Sequence, residues 1–202
     1  MTLMTVRPTI SGTEPDSFED RLDILDELDV PGYRAEIVRG SIVSSPWSKS
    51  YYEDVMELVC DQLRSHLPDG QRISIGPFLY VFPAEERAYG PDIHVAPRRI
   101  SQTTSNRRDG EALLLACELT STSTRDDDLT DKVIVYGRAG VPVYLVLDMQ
   151  EEQATVFSTP SAKGYESHCT VPFGGKLPIP SPFDCTLDTT GFHAPTKTPP
   201  AP

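Results

Sequence analysis

Glu118 stands inside an apolar run, LLLACEL over 113–119. A carboxylate in such a strand costs on the order of several kcal/mol unless a cation or a proton compensates its charge, so a partner for Glu118 is expected. Asp92 opens a second short strand directly after Pro91. A hairpin of these two strands would bring both carboxylates to the same end of a sheet. Two hard oxygen ligands suit Mg²⁺ or Mn²⁺, which favour octahedral oxygen coordination and keep several waters, leaving positions for a phosphate oxygen and an attacking water. Zinc suits this set less well, because no His or Cys lies at ligand spacing. Asp128 and Lys132 are four residues apart on a predicted helix and so share a face. That helix follows the Glu118 strand closely enough to swing Lys132 toward the carboxylates, where an ammonium would orient the water and offset developing negative charge. Taken singly, Asp92 reads equally as a turn or strand-end residue, and an Asp to Lys pair as a solvated contact worth about 0.3–0.5 kcal/mol. A buried Glu118 shifts the balance toward a functional triad of Asp92, Glu118 and Lys132.

The elements that must position these residues are legible as periodicities. YRAEIVRGSIVSS, from Tyr33, places two β-rich runs around Arg39-Gly40 and predicts a hairpin. Tyr52, Val55, Met56, Val59, Leu63 and Leu67 recur at helical steps before Pro68-Asp69-Gly70, predicting an amphipathic helix with its apolar face on a sheet. Strand-like runs follow at about Arg72–Phe82 and Asp92–Ala96, then a polar loop, SQTTSNRRDG, then the buried-strand pattern of LLLACEL. Leu129, Val133, Tyr136 and Ala139 mark a second helix, closed by Gly140 and Pro142 and followed at once by the strand VYLVLD. Further β-like runs lie at about Ala154–Ser158 and Tyr165–Val171. There is no internal repeat.

Before this unit, residues 1–32 read as a polar lead-in whose apolar spacing allows one short helix over Phe18–Leu28. After Asp188 the chain becomes proline-rich and apolar-poor, and 189–202 reads as a disordered tail. The four cysteines show no paired spacing, and Cys60 and Cys117 sit in apolar runs where a free thiol packs as a small hydrophobe. The first ten residues lack the pattern of a secretion signal, and no later apolar stretch approaches the roughly 20 residues that span a bilayer; a cytoplasmic protein without a membrane association is expected. With 18 basic against 30 acidic residues the net charge is −12, which argues against tight nonspecific binding of duplex nucleic acid. Arg98, Arg99, Arg107 and Arg108 form the notable basic cluster; they read as a solvated loop or as steering for a phosphate backbone. His94 reads as a packed strand residue rather than a ligand.

Four segments in order, YRAEIVRGSIVSSP at 33–46, GPDIHV at 90–95, LACELTSTSTRDDDLTDK at 115–132 and YGRAGVPVYLVLD at 136–148, resemble the Uma-two family of restriction endonucleases, a branch of the PD-(D/E)XK nuclease-like superfamily. The resemblance spans roughly 33–188. It implies an α/β (α+β) domain, a restriction-endonuclease-like mixed β-sheet flanked by helices, and metal-dependent cleavage of nucleic acid, DNA by the family's habit. Asp92 and Glu118 would hold the metal and Lys132 complete the site. In the basic pattern the lysine lies two residues after the glutamate, where this chain has Thr120; Lys132 then takes the role from the following helix. Glu36 matches the acidic residue of the family's opening hairpin, either as an accessory carboxylate or as a solvent-facing strand residue. Ser121, Ser123 and Thr124 read as helix caps or as groups orienting Glu118, and Asp128 as an accessory residue. The chain departs from the family at Tyr51 and Tyr52, where a histidine is frequent, and at Arg39-Gly40, where Asp-Gly is usual. A second reading therefore stays open, a catalytically inactive binding or assembly module with this fold, acting through a partner or as a homodimer.

Overall fold

Alternation on two adjacent strands explains the architecture. In the computed structural model, which describes residues 4–5, 17–28, 33–46, 50–76, 78–101, 105 and 107–193, the run containing Glu118 is a strand buried along its whole length. Its odd-numbered residues, Leu115, Cys117 and Leu119, join one core, and Ala116 joins another on the opposite face. Successive strand residues point to opposite faces, so Glu118 shares its face with Ala116. A strand covered on both sides needs an unbroken apolar run, which is why a single carboxylate in it stands out.

The strands are β1 (Met4–Thr5), β2 (Tyr33–Val38), β3 (Ser41–Pro46), β4 (Gln71–Ile75), β5 (Leu79–Phe82), β6 (Arg87–Tyr89), β7 (Ile93–Pro97), β8 (Arg107–Asp109), β9 (Leu115–Leu119), β10 (Val143–Asp148), β11 (Gln153–Ser161), β12 (Gly164–Pro172), β13 (Lys176–Ile179) and β14 (Cys185–Asp188). The helices are α1 (Phe18–Glu27), α2 (Tyr51–Arg64), α3 (Arg125–Leu129) and α4 (Asp131–Arg138). One six-stranded sheet runs β12-β11-β10-β9-β7-β4 and a second β1-β3-β2-β6-β5-β8, with β13-β14 as a separate pair. Both larger sheets are mixed: β9 and β10 pair in parallel, as do β5 and β8, and the other pairings are antiparallel. The apolar face of α2 lies on the first sheet, with Val55, Val59 and Leu63 against Ile93, Leu115 and Leu145. On the other face, Val135 and Tyr136 of α4 and Tyr80, Phe82 and Tyr89 of the second sheet pack over Ala116, Tyr144 and Val146.

Two details differ from what the periodicities predict. The run at about Arg72–Phe82 is two strands, β4 and β5, which belong to different sheets. The break falls at Gly76, whose φ of +149° is a conformation open to glycine, followed by Pro77. The second predicted helix is two short ones, interrupted at Thr130 with φ −128° and ψ −77°. The short helix expected in the lead-in is α1, with a capping box formed by Ser17 and Asp20; its Phe18, Leu22 and Leu25 pack with Ile37, Ile42 and Ala88 of the second sheet. At the other end Thr189 and Phe192 are buried, while 194–202 of the expected tail lie outside the described residues. The four cysteines are free. Among the described residues no helix is long and apolar enough to cross a membrane.

α4 can lie this close to β12 because Gly137 has no side chain. A Cβ there would overlap the backbone of Gly164. Gly137→Ala is therefore expected to lower stability by about 1–3 kcal/mol, the usual cost of overpacking, read as an earlier denaturant midpoint. An unchanged midpoint would mean that α4 sits farther from the β11–β12 turn.

Candidate active site

The antiparallel pairing of β7 with β9 aligns Ile93 with Cys117 and His94 with Ala116. One step further along this register, Asp92 lies opposite Glu118, so the expected convergence of the two carboxylates at one sheet end follows from the pairing. Asp92 is held in place by its own hydrogen bonds. Its Oδ2 accepts from the Leu119 N–H at 2.8 Å and its Oδ1 from the Arg34 guanidinium at 2.8 Å.

Glu118 is 1 % exposed. Its Oε1 accepts from Lys132 Nζ at 2.8 Å and from the Tyr136 hydroxyl at 3.3 Å. Asp128 and Lys132 fall on either side of the Thr130 interruption, yet Asp128 Oδ1 lies 3.0 Å from Lys132 Nζ. Glu36 reaches the same ammonium, with Oε2 at 3.6 Å, and its Oε1 accepts from the Gly90 N–H at 2.6 Å. The hairpin β2–β3 thus supplies Glu36 and α3–α4 supply Asp128 and Lys132, all converging on the carboxylate ends of β7 and β9. Ser121, Ser123 and Thr124 hydrogen-bond one another ahead of α3. Thr120 directs its hydroxyl to Asp148 and Gln150. Tyr52 donates to the Thr120 carbonyl at 2.9 Å, bracing the end of β9 from α2.

Arg34, which the sequence does not single out, joins the site. Its guanidinium donates to Asp92, to the Gly90 carbonyl at 3.0 Å and to Ser45 Oγ at 3.3 Å, and its Nη2 is 3.9 Å from Glu118 Oε2. Arg34 and Glu36 are two apart on β2 and so share a face; that spacing was the available signal. Tyr136 was visible only as an apolar helix position, since periodicity reports burial and not the use of a hydroxyl.

Four buried carboxylates, Glu36, Asp92, Glu118 and Asp128, therefore face two cations, Arg34 and Lys132. Burial pushes Glu118 up to about 8, with Lys132 pulling it down and Asp128, Asp92 and Glu36 adding to the rise. Burial also lifts Asp128 above its ordinary range, against the opposing pull of Lys132. Glu36 is held low: burial works to raise it, but Lys132, Arg34 and the Gly90 N–H outweigh that. Burial disfavours the Lys132 ammonium, yet Asp128, Glu118 and Glu36 keep its pKa well above the ordinary lysine value.

Among the described residues no three His, Cys, Asp or Glu side chains form a ready-made ligand group; the carboxylates hold Arg34 and Lys132 instead. Even so, the donor set fits a divalent cation. Glu118 Oε2 is buried without a hydrogen-bond partner, an arrangement that costs free energy unless something else satisfies it, and the cluster carries two surplus negative charges when fully ionised. Asp92 and Glu118 are the residues that would hold such an ion, both hard oxygen donors.

The remaining candidates lie elsewhere. His94 packs between Phe78 and Tyr80 as a buried strand residue, as expected. Of the arginine cluster, Arg107 is tied to Asp23 and Asp26 of α1 at 2.9 and 2.7 Å, and Arg108 lies over the Phe78 ring, 3.3 Å from its centroid.

Mixed sheets, flanking helices and acidic residues gathered at strand ends define the restriction-endonuclease-like fold. The family model Uma2, described as "Putative restriction endonuclease", matches residues 18–190, and the chain belongs to that family. Solved structures match as well, among them one described as a putative nuclease belonging to DUF820 from Anabaena variabilis, with TM-score 0.64 and 17% identity over 84% of this chain and 92% of that one. No curated protein matches the chain.

Proposed function

We propose that this chain is a divalent-metal-dependent nuclease that hydrolyses nucleic-acid phosphodiester bonds, with DNA the substrate suggested by the family's description. The observation that carries this reading is the buried cluster itself: more carboxylates than cations, one glutamate oxygen that accepts no hydrogen bond, and a cleft of about 500 Å³ bordered by Arg34, Glu36 and Asp92. When bound, Mg²⁺ or Mn²⁺ supplies a water of lowered pKa and neutralises phosphate charge. The protein's own part is preorganisation. The Leu119 N–H and Arg34 fix Asp92. Lys132 and Tyr136 both bond Oε1 of Glu118, which leaves Oε2 as the available donor. Lys132 is enclosed by three carboxylates, so its role is to hold Glu118 and offset charge from behind.

The deciding test is cleavage of plasmid and single-stranded DNA, with Mg²⁺ or Mn²⁺, by wild type and Glu118→Ala. Cutting that requires both the metal and Glu118 supports the nuclease reading. No cutting, or equal cutting by both, favours the second reading, a binding or assembly module. One observation speaks for that module: Arg34 already serves Asp92 as a built-in cation.

Metal binding is separable from cleavage. An ion at a hundred times its Kd stabilises the folded state by about 2.7 kcal/mol, or roughly 5–10 °C in Tm for a chain of this size. Millimolar Mg²⁺ or Mn²⁺ is expected to raise the Tm of wild type by that order and to leave Asp92→Ala unmoved. Equal shifts in both would remove Asp92 from the metal site.

A further inference from the structure

The cleft beside Asp92 is built unlike a groove for a duplex backbone. Its volume of about 500 Å³ is within the range of pockets that enclose one small ligand. Tyr33, Met56, Ile75 and Phe78 line it. Tyr33 is 36% exposed and Ile75 40% exposed, two of the large apolar side chains that the described surface leaves open. Phe78 is steadied by the Arg108 guanidinium. The polar lining is acidic: Glu53, with Asp26, Glu36 and Asp92, which are paired with Arg107, Lys132 and Arg34. Among the described residues that line the cleft, Arg34 is the one cation, and it is paired with Asp92.

Proteins that hold a duplex by its phosphates present rows of Lys and Arg, and acidic walls repel such a backbone. The same walls complement a nucleobase that has left its stack. A base offers a flat apolar face to aromatic side chains, and the exocyclic amines of adenine, cytosine and guanine donate to carboxylates. Enzymes that act on a nucleotide outside the helix read it in pockets of this kind. We propose that the cleft binds one unpaired nucleobase, its face toward Tyr33 and Phe78 and its amine toward Glu53. The adjoining phosphodiester then lies at Asp92, which borders the cleft, and the preferred substrate is single-stranded rather than duplex nucleic acid. Placing the scissile phosphate rests on the nuclease reading; base binding does not.

The test is equilibrium binding of the full chain in EDTA, read by fluorescence anisotropy with short labelled strands: oligodeoxyadenylate, the same backbone without bases, and the adenylate strand annealed to its complement. Oligodeoxyadenylate is expected to bind roughly five- to 150-fold more tightly than the abasic strand, the range of one base–aromatic stack, and more tightly than the duplex. Tyr33→Ala and Ile75→Glu, both at exposed positions, are expected to remove most of that preference, and Tyr33→Phe to keep it. Equal binding of the abasic strand or the duplex, no binding at all, or an unaffected Tyr33→Ala overturns the proposal. Cleavage of the same strands with Mn²⁺ separates the two readings. Cutting that depends on Glu118 without base preference retains the nuclease and removes the pocket; base-dependent binding without cutting does the reverse.

Discussion

Lys132→Met is expected to cost about 3–5 kcal/mol of unfolding free energy, the usual result of removing one partner from a buried charge cluster. For a chain of this size that is a fall in Tm of roughly 6–20 °C. Methionine fills much of the same space, so the loss comes from charge and not from a cavity. Lys132 is 1 % exposed, and its ammonium is the near neighbour of Glu118, Asp128 and Glu36. Without it these carboxylates keep their burial and lose their nearest counter-charge. The pH dependence follows. The folded pKa of Lys132 lies above its ordinary value, so its contribution is fully present below the unfolded lysine pKa and is constant through neutral pH. Glu118 and Asp128 are raised already and rise further in the variant. A raised carboxylate lets the unfolded state ionise first, so stability falls as pH climbs from the unfolded carboxylate range through the folded pKa. The variant should therefore be closest to wild type in the acid range and fall farther below it as pH rises through about 8, where Glu118 of the wild type ionises and that of the variant does not. Urea midpoints across that range decide it, and a pH-independent difference would mean that the lysine's role is packing alone.

How much of this site was legible depends on which kind of signal each residue leaves. Glu118 announced itself because β9 is buried on both faces, so a charge in it has no solvent-facing explanation. Asp92 followed from antiparallel pairing of two strands, and that pairing is present. The Asp128 to Lys132 spacing also survived, although the helix breaks at Thr130 between them, because a four-residue separation still brings the two side chains to 3.0 Å. Arg34 was missed for the opposite reason. On β2 it is only partly buried, and an arginine on a half-open strand has many ordinary uses. Its partner Asp92 is 58 residues away, a separation that no local pattern reports. The division of 71–82 was hidden in the same way, since β4 and β5 are both β-rich and only the conformation of Gly76 shows that the chain changes sheets. The basic cluster was legible as charge but not as use, because Arg107 finds its carboxylates on α1, more than 80 positions earlier in the chain.

Glu118→Gln separates what the site costs from what it does, and the two effects should have opposite signs. Glutamine keeps the shape and can still accept from Lys132, but it cannot ionise. In wild type Glu118 titrates at about 8 in the folded chain, chiefly through burial, against an ordinary value of 4.5. Between those values the folded state holds a proton that the unfolded state has released, so wild-type stability declines as pH rises through that window. Glu118→Gln removes that decline and should equal or exceed wild type in stability near pH 8 in EDTA. With Mn²⁺ present the order is expected to reverse: an ion held by Asp92 and Glu118 would favour the ionised glutamate, flatten the wild-type profile and stabilise wild type alone. Cleavage should fall by at least about a hundredfold in the variant, the scale of losing an electrostatic contact made at the reacting centre. A more stable but inactive variant is the signature of a site whose unfavourable burial serves a ligand. A variant less stable than wild type at every pH, with and without the ion, would instead make Glu118 the structural partner of Lys132, and the nuclease reading would lose the residue on which it most depends.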